Sequence, residues 1–78
     1  MHMPITLKLY RPLSPRERQI LYHVVQGNEN KEIAHKLSIS EQTVKNHMSM
    51  IMTKMGVRNR VQVAVLAIQT RLVGELDA

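Results

Sequence analysis

Two amphipathic segments separated by only three residues constrain this chain more than any other feature. The stretch from Asn30 to Met55 reads NKEIAHKLSISEQTVKNHMSMIMTKM. Its apolar spacing predicts a short helix over about Lys31–Leu37, a break at Ser38-Ile39-Ser40, and a longer helix over about Glu41–Met55. Two helices joined by so tight a turn, in a basic chain, form the pattern of a helix-turn-helix. Ile39 is apolar in a turn that ought to be polar, so it is expected to plug into the core.

The flanks supply two more helices. Ser14, Pro15 and Glu17 form a capping box with proline at the first helical position. Ile20, Leu21, Val24 and Val25 then share one face, and Gly27 ends the helix with a positive φ. Asn28 or Asn30 can cap the second helix, and Ile33, Ala34 and Leu37 face inward from it. Ser40 caps the third helix, whose inward face is Val44, Met48, Ile51, Met52 and Met55, and Gly56 stops it. Asn59 caps a fourth helix over about Arg60–Val73, with Val61, Val65, Ile68 and Leu72 as its core stripe. Val63, Leu66 and Ala67 lie off that stripe and are expected to pair with a second copy of the chain. The expected fold is all-α, four helices over residues 13–74, with an N-terminal arm or linker over 1–12 and a tail over 75–78. Within the arm, residues 5–10 alternate weakly like a strand.

Composition narrows the function. Seventy-eight residues make one small domain. The absence of cysteine excludes disulfides, thiolate metal sites and a cysteine nucleophile. No apolar run is long enough to span a membrane and no secretory signal is visible, so a cytoplasmic protein is expected. A net charge of +5 favours a polyanionic partner. The only aromatic residues are Tyr10 and Tyr22, which gives no platform for stacking single-stranded bases, so double-stranded DNA is the expected ligand.

At about 100° per residue, Gln42, Asn46, Ser49 and Thr53 lie opposite the inward face of the third helix, with Lys45 beside them. Short polar and long cationic side chains near the start of a helix suit the major groove. Lys45 can reach guanine O6 and N7 or a phosphate, and Asn46 and Gln42 can each bond adenine in a bidentate manner. Gln42, Lys45, Asn46 and Ser49 are therefore the expected base-reading residues. Thr43 and the helix N-terminus can take a phosphate, as can Lys31, Lys36, Arg58 and Arg60. His47 either touches a phosphate or packs at a helix junction.

Other residues carry less. His23, His35 and His47 fall twelve residues apart on different helices without a neighbouring ligand motif, so no metal site is expected. Met48, Met52 and Met55 read as flexible core fillers and Met50 as outward-facing. No carboxylate pair, phosphate-binding glycine loop or nucleophile motif appears, so neither catalysis nor a cofactor is expected. An alternative reading is a helix-turn-helix module that docks on another protein, such as RNA polymerase.

Several motifs then occur in one order and spacing: Leu13 to Leu21 (LSPRERQIL), Gly27, Asn30 to Ala34 (NKEIA), Leu37 to His47 (LSISEQTVKNH) and Lys54 to Arg60 (KMGVRNR). Together they resemble the LuxR/FixJ-type, or GerE-like, DNA-binding domain of bacterial response regulators and related transcription factors. The resemblance covers roughly Leu13 to Ile68. It implies a third helix in the major groove and a fourth that mediates dimerisation on DNA. It places Thr43 and Lys45 at the DNA backbone and bases, Asn46 and Ser49 at variable, sequence-tuning positions, and Arg60 at a basic position opening the fourth helix. Two residues depart from the pattern. Glu29 stands where many members carry a small hydroxyl residue, and Ser49 where some carry a basic reader, so their operator sequence is not carried over. Members often carry a receiver or ligand-binding domain upstream. The residues before Leu13 are too few for either, so the chain is expected to be an isolated effector domain or a stand-alone regulator.

Overall fold

The computed structural model describes residues 12–70. Residues 1–11 of the expected arm, the expected helical positions Leu72 and Val73, and the expected tail lie outside the described residues. Within them the chain forms α1 (Pro15–Val25), α2 (Asn30–Leu37), α3 (Glu41–Met55) and α4 (Arg60–Gln69), and no strand.

The capping box opens α1 as its sequence dictates. Ser14 Oγ accepts the Glu17 backbone N–H at 3.1 Å, and Glu17 Oε1 accepts the Ser14 N–H at 2.9 Å. Ile20, Leu21 and Val24 are buried along one face. Gly27 follows with φ +88°, and a Cβ there would meet nothing within 4 Å. Glycine is therefore called for by the backbone conformation, not by crowding.

The second helix starts differently from expectation. Its N-cap is Glu29, whose N–H is accepted by Glu32 Oε1 at 2.7 Å. Neither asparagine caps it: the Asn28 side-chain amide lies against His23 Nδ1 at 3.4 Å, and Asn30 Oδ1 accepts from the Arg60 guanidinium, which also donates to the Asn28 carbonyl. Ile33 and Ala34 are buried. The turn is closed by Ser38 at φ 57°, in the left-handed region that a side chain makes costly. That conformation lets the Ile39 N–H reach back to the Ala34 carbonyl at 3.0 Å. Ile39 is half-buried against the core.

Ser40 caps α3, its Oγ accepting the Thr43 N–H at 3.0 Å. Val44, Met48, Ile51 and Met55 are buried, Met52 packs beside them half-buried, and Gly56 ends the helix at φ 70°. The third helix thus lies on α2 and α1, and α4 closes the core against α1 and α3.

On α4 the structure corrects the sequence reading. Val63 and Ala67, expected to be an exposed pairing surface, are 0% exposed. Val61, Val65 and Ile68, expected in the core, are 71, 46 and 58% exposed, and Leu66 is half-buried. The segment RVQVAVLAIQ is apolar on almost every side, so periodicity offers two stripes without choosing between them. Tertiary contacts choose. Val63 and Ala67 are the pair enclosed where α4 packs on α1 and α3. The Arg60 bonds to Asn28 and Asn30 then fix how the helix is rolled.

Candidate nucleic-acid interface

Four buried side chains hold α3 from one side and leave its opposite side open. Gln42, Lys45, Asn46 and Ser49 are all exposed there, and Met50 is 49% exposed at the edge. Gln42 Nε2 donates to Asn46 Oδ1 at 3.0 Å, linking two of these residues across one helical turn. Thr53 Oγ1 donates to the Ser49 carbonyl at 3.0 Å, so Thr53 is turned back onto its own helix.

Lys45 and Ser49 line one wall of a shallow concavity of about 350 Å³. Its other walls come from Asn30 at the start of α2 and from Arg58, Asn59 and Arg60 at the start of α4, with Met48 and Met52 adding apolar surface. Three cationic side chains from two parts of the chain therefore converge beside the polar face of α3. Arg58 is exposed, and its backbone N–H is tied down by Gln62 Oε1 at 2.7 Å. This arrangement sets the positive charges of Lys45 and Arg58 next to a row of hydrogen-bonding groups, which suits a phosphate backbone flanking a groove.

The remaining expected phosphate residues are placed less uniformly. Arg60 is half-buried and donates to Asn30 Oδ1 at 2.6 Å and to the Asn28 carbonyl. Its guanidinium thus joins the N-termini of α2 and α4 instead of standing free for a phosphate. Thr43 is half-buried, with its Oγ1 2.8 Å from Ser40 Oγ and its N–H taken by the cap. Lys31 is exposed but belongs to a separate depression on α2 with Glu32, His35 and Lys36. His47 is half-buried.

One interaction had no signal in the sequence. Lys54 Nζ lies 2.7 Å from Glu17 Oε1, and it also donates to the Pro12 carbonyl at 3.3 Å. This pair ties the last turn of α3 to the first turn of α1. Burial alone would push the Glu17 carboxyl up. The hydrogen bonds from Lys54 and from the Ser14 backbone, with the ammonium charge, outweigh it and hold the carboxyl below its usual range. Glu17 was legible as a capping residue, but a partner 37 residues away leaves no local pattern. His23 is shifted down by burial and by the nearby charge of Lys36, against a hydrogen bond with Gln26. Among the described residues no cluster of three or more His, Cys, Asp or Glu could hold a metal ion, and no helix is long and apolar enough to cross a membrane.

The chain also matches known proteins. Residues 11–67 match the family of bacterial regulatory proteins of the luxR type. The transcriptional regulatory protein YhcZ of Bacillus subtilis is 43% identical over 76 residues, covering 97% of this chain and 35% of YhcZ. The nitrate/nitrite response regulator protein NarL of Escherichia coli is 47% identical over 60 residues, covering 77% of this chain and 28% of NarL. The spore germination protein GerE of Bacillus subtilis is 45% identical over 65 residues, covering 83% of this chain and 84% of GerE. The chain therefore spans about a third or less of the length of two of these relatives and most of the third.

Proposed function

The chain belongs to the luxR family of bacterial regulatory proteins and is a helix-turn-helix DNA-binding domain of that family; from this premise we propose that it reads a specific duplex through the outer face of α3 and pairs with a second copy through α4. The observation that carries the reading is the division of α3 into two faces. Val44, Met48, Ile51 and Met55 anchor the helix, while Gln42, Lys45, Asn46 and Ser49 stand exposed on the other side. These four groups would meet base edges in the major groove, and Lys45 and Arg58 would flank a phosphate strand, with Lys31 and His47 further out. Arg60 and Thr43 act on DNA indirectly, by fixing the helix ends that present those groups.

The pairing surface proposed is Val61, Val65 and Ile68 with the half-buried Leu66, which form an apolar strip on α4. Two copies joined there would address two half-sites roughly one helical turn apart. Such a protein acts where the bacterial chromosome is, in the cytoplasm. The same strip favours a second reading, in which α4 docks on a different protein such as RNA polymerase.

Selection from randomised duplexes at defined salt tests the proposal. Recovered sequences should contain two related half-sites, and affinity should fall steeply with salt, by roughly one unit of log-log slope per phosphate contact. Failure to retain any duplex at low salt, with a monomer in sedimentation at high concentration, would instead support the docking reading.

A further inference from the structure

Two of the exposed amides on α3 are already bonded to each other. Gln42 Nε2 donates to Asn46 Oδ1 at 3.0 Å, and both side chains lie on the solvent face of the helix. The terminal torsion of an asparagine is broad and intrinsically two-fold, so a free Asn46 amide would present either end. The bond to Gln42 ties the amide to a neighbour and restricts that freedom. Oδ1 faces Gln42 and Nδ2 faces away. A carbonyl oxygen has two lone pairs, so Asn46 Oδ1 can accept once more while Nδ2 keeps both of its donors.

Adenine shows one donor and one acceptor side by side in the major groove, N6–H and N7, whereas guanine shows two acceptors there. An ordered Asn46 amide matches adenine and opposes guanine, whose O6 would face Oδ1. Gln42 has meanwhile committed one Nε2 proton to Asn46, so the two residues are not equivalent readers. We propose that Gln42 is a positioning residue that orders the Asn46 amide for an adenine edge, so that the pair reads one base pair as a unit. The inference rests on the reading of α3 as the helix that enters the groove. Its physical basis is preorganisation: an amide fixed before contact has less freedom to lose on binding.

The test is a double-mutant cycle on a duplex recovered by the unaltered chain from a randomised pool, with each A·T pair in turn changed to G·C. Gln42→Met keeps the length of the side chain and removes its hydrogen bonds. It should lower the adenine-over-guanine preference at one base pair roughly three- to tenfold. Asn46→Ala should abolish preference at that same base pair, and adding Gln42→Met to Asn46→Ala should change nothing further there. Both residues are exposed, so each variant should fold. Losses at two different base pairs, or losses that add, would overturn the proposal and make Gln42 an independent reader. If the unaltered chain retains no duplex, the groove reading itself fails and this inference with it, an outcome distinct from additive losses on a duplex that still binds.

Discussion

The third and fourth helices are of similar origin and opposite clarity. In α3 every fourth or third residue is apolar and the far side is polar, so one face alone can enter the core. In α4 seven of the ten residues are apolar, and the face that enters the core is set by contacts from outside the helix. A hydrophobic pattern fixes the roll of a helix only where the opposite side objects to burial. Where it does not, contacts elsewhere in the fold decide which stripe is buried, and the other is left on the surface.

The sharpest way to break this comparison is to place a charge on each stripe of α4. Val63→Asp buries an unpaired carboxylate and should cost on the order of 4 kcal/mol or more. Val61→Asp should leave the urea midpoint within about 0.5 kcal/mol of the unaltered chain while weakening paired binding to DNA. The reverse ranking would restore the face that the spacing suggested. On α3 the contrast should be as strong within a single helix. Ile51→Ala should cost about 2–5 kcal/mol in urea unfolding, and Gln42→Ala should stay within about 0.5 kcal/mol.

A smaller effect is expected where α3 is tied to α1. Lys54→Met leaves the Glu17 carboxylate without its cation and should cost about 1.5–3 kcal/mol near neutral pH. Glu17 titrates below its ordinary value of 4.5 in the folded chain, so the unfolded chain takes up the proton first as pH falls. Its contribution is therefore complete above about pH 4.5 and is lost as the pH drops through the lower folded value. Unfolding measured across that window should show a steeper acid-side loss in the unaltered chain than in Lys54→Met. An equal slope in both would mean that the pair does not hold the carboxylate down. The smallest change is in the turn. Ser38→Gly relieves a left-handed backbone and should raise stability by up to about 1 kcal/mol, offset in part by the freedom glycine adds to the unfolded chain. A clear loss of stability would show that the serine side chain contributes more than the strain costs.

Much of the fold was legible because it is written locally. The Ser14–Glu17 box, the Ser40 cap and the glycines after α1 and α3 are short-range signals, and the four helices begin and end close to them. The start of α2 is not legible in the same way, because the Glu32 carboxylate takes the Glu29 N–H where the nearby asparagines are the more usual caps. The side of α4, the Arg60 bridge and the Lys54–Glu17 pair were illegible for one reason: each depends on residues thirty or more positions apart. For the interface, the polar face of α3 could be drawn from spacing alone, and its residues are exposed. That Gln42 and Asn46 hold each other, and that Arg60 is engaged with Asn28 and Asn30, required the geometry.

Everything proposed for this chain requires that the solvent side of α3 meet the DNA. Titrating the isotopically labelled chain with its selected duplex, and following the side-chain amide resonances of Gln42 and Asn46 with the backbone amides of residues 41–50, tests it most directly. Those resonances should shift first and furthest, and the side-chain amide signals of Gln62 and Gln69 on α4 should move little on a single half-site. Large shifts confined to α4 or to the outer side of α2, with the Gln42 and Asn46 amides unmoved, would contradict the account.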